Sequence, residues 1–362
     1  MQQTMRLPFG RRPQQWHSRA LVAVVMAASV SSASAAVTVR GVVPEDGPRL
    51  GWFERYSDMR QGPEQVDKVS QSIKVGEGAT LDVSQFAGDI RVTAGGTSEI
   101  KIDATKRVRS RDAEEARRVL AALRVDVNTF NNRVEVRSTY PRRGQVGGNS
   151  SVAVDYVITV PPSAVVALKS ISGDISVTNV KGEVRAETVS GDVTVSGTPN
   201  VSVAKSISGD VTARDIGSQN TLVLTSVSGT VLGTGLKVRA LEAGSVSGNV
   251  RLVGSEVERL EAKSVSGNIE FDAPLARGGR YEFASHSGSV RILLSGDIGF
   301  ELDADTFSGN VRSDVPVTLR SVGAPVGRDR RGSNRAIRGS FGDASAYLAI
   351  RSHSGSVVIA RK

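Results

Sequence analysis

The sequence contains no cysteine, few aromatic residues and only three histidines. Without cysteine the chain cannot form disulfides, a cysteine-ligated metal centre or a lipid anchor on an N-terminal cysteine. Aromatic side chains make up 4% of the residues, so Val, Ile, Leu and Ala must fill the core. No row of rings accompanies the basic residues as a platform for stacking bases. We therefore expect no nucleic-acid binding.

The first 36 residues have the composition of a secretory signal peptide. They contain four arginines and no acidic residue, and the apolar run Leu21–Ala28 is followed by small residues. That run is too short to cross a bilayer, and Ala33-Ser34-Ala35 matches a signal-peptidase site. The sequence predicts export to the periplasm or the outer cell surface, with no transmembrane segment. Taking these four arginines from the 46 basic residues, against 37 acidic ones, lowers the formal charge from +9 to +5.

One short repeat dominates the rest of the chain. A motif x-Ser-Gly-Asx, in which x is usually Val or Ile, recurs with glycine spacings of 18–21 residues between Gly173 and Gly309. Apolar residues alternate on both sides of the motif, which is typical of β-strands. A strand-turn-strand unit of this length buries its apolar face only against further copies. We predict an all-β fold, a right-handed parallel β-helix-like solenoid with about 18–21 residues per rung and one short capping helix. The predicted turn glycines are Gly173, Gly191, Gly209, Gly229, Gly248, Gly267, Gly288, Gly309 and Gly355.

Stacking of the repeats should place equivalent side chains above one another in ladders. The serines that precede the glycines, from Ser172 to Ser354, form one such ladder, which we expect to hydrogen-bond from rung to rung. The residues after the glycines form a second ladder that begins with Asp174, Asp192 and Asp210. Carboxylates about 4.8 Å apart repel one another, and backbone N–H groups of the turn are the expected compensation.

Calcium binding and catalysis are the alternative roles of this second ladder. The chain lacks the Gly-Gly-x-Gly-x-Asp repeat that binds calcium, and the later copies replace Asp by Thr, Asn or Ser. His286 and His353 occupy distant repeats at positions where other copies have Val or Ile, which does not suit a transition-metal site. We predict no catalytic residue, no metal site and no cofactor.

The chain divides into four parts. After the signal peptide over residues 1–36 we expect a poorly ordered leader over residues 37–70. An N-terminal β segment over residues 71–160 follows, and the solenoid repeats occupy residues 161–362. The β segment contains an amphipathic helix over residues 111–124, which Ser110 would cap and which should cover an end or a side of the solenoid.

An arginine-rich insertion at about residues 322–342 interrupts the repeats. The interval from Gly309 to Gly355 is 46 residues, about two rungs and an insertion. Loops that project from a solenoid often carry binding surfaces, so the insertion is a candidate binding loop, and a solvated loop is the alternative. Its candidate residues are Arg320, Arg328, Arg330, Arg331, Arg335 and Arg338.

Three sequence features resemble a known family. They are the repeats Val-Ser-Gly-Asp-Val at 189–193 and Val-Ser-Gly-Asn-Val at 246–250, the break Val160-Pro161-Pro162, and the early copy Phe86-Ala-Gly-Asp-Ile-Arg-Val92. Together they resemble the bacterial family of candidate adhesin domains called DUF4097, a domain of unknown function, over about residues 70–362. The resemblance implies attachment at the cell envelope or surface and transfers no site residue.

Two functions from different classes follow from these observations. The first is a non-catalytic cell-envelope module, adhesin-like or scaffolding, that binds an envelope glycan or protein through a ladder face or the basic insertion. The second is a polysaccharide-active lyase or hydrolase built on a β-helix. Since no acid, base and metal ligands converge in the sequence pattern, we favour the first. Self-association through the solenoid end is a further expectation, because the strand Val357–Ala360 would leave an open edge.

Overall fold

The structure is a computed structural model that describes residues 63–96, 98–141, 150–319 and 335–362. The signal peptide predicted for residues 1–36 lies outside these ranges, as does the predicted leader up to residue 62. Strands account for most of the described residues, together with one short helix. No helix in the described ranges is long and apolar enough to span a bilayer.

The strands form two sheets that face each other. In chain order the first elements are β1 (Glu64–Lys74), β2 (Thr80–Ala87), β3 (Ile90–Ala94), β4 (Glu99–Arg109), α1 (Ala113–Ala122), β5 (Arg124–Phe130), β6 (Arg133–Thr139), β7 (Ser151–Val160), β8 (Val165–Ser172), β9 (Ile175–Thr178), β10 (Val184–Ser190), β11 (Val193–Ser196), β12 (Val201–Lys205) and β13 (Val211–Arg214). They are followed by β14 (Gly217–Ser226), β15 (Val231–Thr234), β16 (Lys237–Ser245), β17 (Val250–Val253), β18 (Glu256–Ser264), β19 (Ile269–Pro274), β20 (Arg280–Ser287), β21 (Val290–Ser295), β22 (Phe300–Ser308), β23 (Val311–Ser313), β24 (Thr318–Leu319), β25 (Arg335–Phe341), β26 (Ala346–Ser354) and β27 (Val357–Arg361). Sheet A has the order β1-β4-β7-β3-β9-β11-β13-β15-β17-β19-β21-β27-β23, and sheet B has the order β24-β25-β22-β26-β20-β18-β16-β14-β12-β10-β8-β2-β6-β5.

Each rung of the rod consists of one strand of sheet B, a turn and one strand of sheet A. Equivalent strands of neighbouring rungs pair in parallel, so that Val193 lies beside Val211 and Val211 beside Val231. The described residues form eleven rungs: β2–β3, β6–β7, the eight consecutive pairs from β8–β9 to β22–β23, and β26–β27. At about 4.8 Å per rung the rod is on the order of 50 Å long. The predicted all-β solenoid is confirmed.

The core lies between the sheets and runs along the whole rod. Alternate residues of each strand point inward, as Val193 and Val195 do in β11, and the residues beside them in β13 are Val211 and Ala213. Burying one such side chain contributes on the order of 1.5–3 kcal/mol. Because every rung repeats the same alternation, the core is continuous and needs few aromatic residues.

The rungs at the two ends of the rod do not follow chain order. β6–β7 lies outside β2–β3, and β26–β27 is inserted between β20–β21 and β22–β23. The prediction of an open edge at the strand Val357–Ala360 is therefore wrong, and self-association through the solenoid end stays a prediction without that support. β27 pairs on both sides, so β21 and β23 use its backbone groups. The described sheet edges are β1, β5, β23 and β24.

The leader predicted for residues 37–70 extends too far along the chain. Residues 64–74 form β1, which pairs antiparallel with β4 from Glu64 opposite Arg109 to Lys74 opposite Glu99. The side chains of β1 are mostly exposed. This strand gains backbone hydrogen bonds rather than a buried face, and for that reason its sequence carries no apolar alternation.

The helix α1 is shorter than the predicted span of 111–124. Asp112 is its N-cap, because the Asp112 carboxylate accepts a hydrogen bond from the N–H of Glu114, whereas the Ser110 hydroxyl donates to Glu115. The helix packs on β1 and β4. Its buried residues Ala116 and Val119 extend the core beyond the last rungs.

Part of the insertion predicted for residues 322–342 belongs to sheet B. Residues 335–341 form β25, which pairs antiparallel with β22, and β24 pairs with β25 in turn. The physical reason is the edge of β22, whose outward N–H and C=O groups require partners. The Arg and Gly content of the insertion predicts a loop, because composition does not reveal that the backbone groups of β22 need a partner strand.

The turn glycines lie directly on one another, backbone on backbone. A Cβ added to Gly173 would lie 1.9 Å from the carbonyl oxygen of Gly88, and one added to Gly229 would lie 2.0 Å from that of Gly209. The other predicted turn glycines show the same close approach at 2.0–2.2 Å. A distance this short leaves no room for a side chain, and the obstructing atom is part of the backbone.

We expect Gly229→Ala to lower the free energy of unfolding by about 3 kcal/mol or more, because its methyl group would have to displace the carbonyl of Gly209. Gly217→Ala is the matched control, since the nearest atom to a Cβ at Gly217 is 4.0 Å away. The control should change stability by less than about 1 kcal/mol. Urea unfolding of both variants measures the difference, and equal midpoints would contradict the close-approach argument.

Candidate functional site

Buried hydroxyl groups beside the turn glycines connect the rungs. The hydroxyl of Ser206 donates to the carbonyl oxygen of Gly191, and that of Ser245 to the carbonyl oxygen of Gly229, both at 2.8 Å. The serines from Ser172 to Ser354, which we predicted to make such bonds, are exposed instead. That prediction was wrong because the motif contains two hydroxyl positions, and the strand alternation turns the earlier one inward. The buried hydroxyls that bond a neighbouring rung in this way are Thr188, Ser206, Ser226, Ser245, Ser264, Ser285 and Thr306.

The carboxylates after the turn glycines are compensated by backbone N–H groups. Asp174 Oδ1 accepts the N–H of Asp192, and Asp192 Oδ1 accepts the N–H of Asp210, both at 2.8 Å. Further along the rod the amide oxygens of Asn249 and Asn268 make the same bond at 2.9 Å. The expected compensation is confirmed. Since an amide serves as well as a carboxylate, the column requires an acceptor oxygen rather than a negative charge.

A column of exposed apolar side chains runs beside the exposed serines, and we call it the apolar ladder. Five of its valines and isoleucines are exposed by 42–47% and Val246 is half-buried, while the residue before each of them is buried. Seven of the eleven large apolar side chains that are exposed in the described residues belong to it. In order along the rod the ladder consists of Phe86, Ile171, Val189, Ile207, Val227, Val246, Val265, His286, His353 and Phe307.

The apolar ladder is the feature that the sequence interpretation missed. Its residues occupy the first position of the x-Ser-Gly-Asx motif, which we used only to align the copies. The signal was present: in β10 the strand alternation buries Ala186 and Thr188 and turns Val189 outward, yet this outward position is apolar or aromatic in nearly every copy.

Aromatic rings occupy both ends of the apolar ladder. At one end Phe86 meets Tyr140 edge to face, with ring centroids 5.6 Å apart. At the other end His286, His353 and Phe307 stack in parallel, with 4.7 and 4.9 Å between neighbouring centroids. The stacked rings cover one another's faces. They therefore present mainly their edges to the surface.

Two tyrosines hold the Phe86 end of the apolar ladder in place. The Tyr140 hydroxyl donates to the carbonyl of Ala87 at 2.9 Å and accepts from its N–H at 3.1 Å. The hydroxyls of Tyr156 and Ser138 are 2.6 Å apart. Burial raises the pKa of Tyr140 and raises that of Tyr156 to about 12. Both phenols remain protonated at neutral pH, and this end of the ladder keeps its hydrogen bonds.

Charged side chains border the apolar ladder on both sides. On the outer face of sheet B, two positions before each ladder residue, runs what we call the lysine column, with the exposed Lys169, Lys205 and Lys263. On the other side, beyond the exposed serines, are Asp174 in the rung of Lys169 and Asp210 in the rung of Lys205. In these two rungs the ladder separates a lysine from an aspartate, whereas the lysine column has Glu187 in the rung between them.

The arginines of the candidate binding loop are only partly described. Arg338 lies in β25, and its Nε donates to Oδ1 of Asp303 in β22 at 3.0 Å. This contact raises the pKa of Arg338, and its charge already has a carboxylate partner. Arg335 begins the same strand. The remaining loop residues Arg320, Arg328, Arg330 and Arg331 lie outside the described residues.

The carboxylates after the turn glycines follow one another along one corner of the rod. We call the residues after the turn glycines the Asx column; its carboxylates Asp174 and Asp192 lie on neighbouring rungs, and each accepts a backbone N–H. Glycoside hydrolysis needs two carboxyl groups on opposite sides of a bound sugar. Within the described ranges, no three or more His, Asp or Glu side chains are grouped so that they could hold a metal ion.

Fold and surface together define the class: a two-sheet β-solenoid with Ser-Gly turns and an exposed ladder at the turn. The family described as Toastrack DUF4097 matches residues 79–360 of the chain. The protein belongs to this family, as its repeat motifs indicated. No curated protein matches the chain.

Several solved structures are similar to the chain. One is assigned as a lipid-binding protein of Parabacteroides distasonis, with 11% identity and a TM-score of 0.38 over 82% of this chain and 97% of that chain. Another is assigned as an adhesin of Bacteroides fragilis, with 14% identity and a TM-score of 0.33 over the same shares. A third, assigned as a cell adhesion protein of Clostridium sporogenes, has 9% identity and a TM-score of 0.24 over 82% of this chain and 100% of that chain. At such values membership rests on the family match alone.

We expect Asp192→Asn to leave stability within about 0.5 kcal/mol of the parent, because an amide oxygen can still accept the N–H of Asp210. Asp192→Ala removes the acceptor and should cost about 1 kcal/mol. Urea unfolding of the two variants under the same conditions measures both effects. A loss of stability in Asp192→Asn equal to that in Asp192→Ala would mean that the charge, and not the acceptor, matters.

Added calcium should leave the melting temperature unchanged, because backbone N–H groups compensate the charges of the Asx column, whose later residues Asn249 and Asn268 carry uncharged amides. Thermal unfolding with calcium and with a chelator measures this. A rise of many degrees that the chelator reverses would show that these carboxylates bind the ion.

Proposed function

We propose that the protein is a non-catalytic, adhesin-like module of the cell envelope and that its binding surface is the apolar ladder. The observation that carries the proposal is the unbroken course of the ladder through ten rungs. Single exposed apolar residues are ordinary on protein surfaces, whereas a contiguous stripe marks a surface that a partner covers. The turn glycines and buried hydroxyls hold this stripe rigid, so little conformational entropy is lost on binding.

The chemistry of the ladder favours a protein over a glycan as the partner. Valine and isoleucine, which form its middle, offer apolar area without polar groups. At the end formed by His286, His353 and Phe307 the rings cover one another's faces and expose edges, so stacking of a sugar on an open ring face is restricted there. An envelope protein with apolar side chains of its own suits this surface.

Export is part of the proposal. The first 36 residues have the charge pattern and apolar run of a signal peptide, which would place the module in the periplasm or on the outer cell surface. A second contact, for an acidic partner, is assigned to the arginines that precede β25 in the chain. These are Arg320, Arg328, Arg330 and Arg331.

Binding is tested with a ladder variant and a matched control. Val227→Lys/Val265→Lys changes two ladder residues that are 42% and 47% exposed, and Val157→Lys/Val66→Lys makes the same change at positions 47% and 50% exposed elsewhere. We expect the parent and the control to bind immobilised envelope proteins equally and the ladder variant to bind at least about tenfold more weakly, because a buried lysine costs 1.4 kcal/mol or more.

Purified envelope polysaccharides, analysed by light-scattering chromatography with and without the protein, form the second arm. Equal binding by the ladder variant and the control would overturn the assignment of the surface. Polysaccharide that shortens in the presence of the protein would replace the binding module by an enzyme.

A further inference from the structure

We infer that the partner of the apolar ladder is the apolar ladder of a second copy of this chain, with the two rods side by side and pointing the same way. The inference rests on the proposed function, since it names the protein that covers the same surface. It concerns the side of the rod and does not involve the edge strands at its ends.

The spacing of the ladder selects its partner. Ladder residues follow one another at the separation of hydrogen-bonded strands, about 4.8 Å, over ten rungs. An extended chain presents side chains on one face about every 6.7 Å, and a helix turns every 5.4 Å, so both lose register within a few rungs. A second rod of the same fold has the same spacing. Its Val and Ile side chains can therefore meet those of the first rod rung by rung along the entire length.

The contact is large enough for a stable dimer. A stable interface covers about 800 Å² on each partner. Along a ladder about 45 Å long, this area requires a strip about 18 Å wide. That width corresponds to the ladder with the serine, Asx and lysine columns that flank it. The apolar middle and charged border match the usual arrangement of a protein interface.

The charges on the two borders decide the orientation. When the two-fold axis runs along the rods, the lysine column of one copy faces the Asx column of the other in the same rung. Lys169 then faces Asp174, and Lys205 faces Asp210, once on each side of the axis. The rung between them brings Glu187 to its partner's Asx column as a like-charge contact, which the two attractive rungs outnumber. Such border charges contribute orientation more than affinity.

The opposite orientation is disfavoured by the same columns. If the rods ran antiparallel, the lysine columns would face each other. Reversal of the rung order brings Lys169 opposite Arg351 and Lys205 opposite Lys263. These contacts join like charges and have no acidic counterpart in the same rungs.

Site-directed cross-linking tests the pairing cleanly, because the chain has no cysteine. Ile171→Cys, Val265→Cys and the control Val157→Cys are each purified as the exported, processed chain and treated with a mild oxidant. In the parallel pair each ladder cysteine faces its own copy, so Ile171→Cys and Val265→Cys should form disulfide-linked dimers. Val157→Cys, exposed by 47% like the two ladder residues, should form no disulfide-linked dimer.

Sedimentation equilibrium of the cysteine-free protein provides the independent measurement. We expect a dimer for the parent and for Val157→Lys/Val66→Lys, and a dissociation constant at least about tenfold higher for Val227→Lys/Val265→Lys. A strictly monomeric parent would overturn the inference. A dimer in which Val265→Cys links to Ile207→Cys rather than to itself would also overturn it, because that pattern identifies antiparallel rods.

The outcomes distinguish failure of the proposed function from failure of the self-pairing. If the parent is monomeric but the ladder variant still loses binding to envelope proteins, the ladder binds a different protein and only the self-pairing is wrong. If the ladder variant neither dissociates a dimer nor loses binding, both the proposed function and the inference are wrong.

Discussion

The contact between one turn glycine and the next determines the spacing of the whole rod. At this corner a carbonyl oxygen occupies the volume that a Cβ of the neighbouring rung would need, as at Gly209 and Gly229. The buried hydroxyl of Ser226 donates to that same Gly209 carbonyl, and the Asx side chains bridge the N–H groups beside it. A side chain on a glycine would separate the rungs and break these bonds together. The exposed columns stay in register because this contact leaves no freedom between layers.

The sequence predicts the layers of this fold well and their neighbours poorly. The recurrence of Ser-Gly and the alternation of apolar residues specify a turn and two strands, which suffices for rung length, two sheets and a continuous core. β1 and β25 escape such a prediction because they pair through backbone groups while β1 exposes most of its side chains. The order of the end rungs also escapes it. The copies around Gly309 and Gly355 carry almost the same motif, and a motif does not state which copy lies beside which.

The sequence likewise predicts some features of the surface and misses others. The compensation of Asp192 by a neighbouring N–H follows from charge repulsion at a known strand spacing, and the structure has it. The bonding serines were assigned to the wrong column because the motif has two hydroxyls and only the parity of the strand separates them. The pairing of Arg338 with Asp303 depends on an antiparallel neighbour that the composition of the insertion does not reveal. The motif shows that its first position is apolar or aromatic, but the exposure of this position becomes clear only when the inward residues are known.

The insertion of β26–β27 between two rungs that precede it in the chain has a consequence for how the rod assembles. Solenoids ordinarily lengthen by adding each new layer to a free end. Here the layer of residues 346–361 lies between β20–β21 and β22–β23, and Arg361 bonds Asp297, 64 positions earlier. Completion of this end therefore depends on distant parts of the chain, and we expect it to be slower than the stacking of the middle layers. Once the layer is in place, it is bonded on both sides. Unfolding from that end cannot proceed one rung at a time in chain order, because the outermost layer β22–β23 precedes the layer beneath it in the chain. We therefore expect the inserted layer to slow the unfolding of the finished rod.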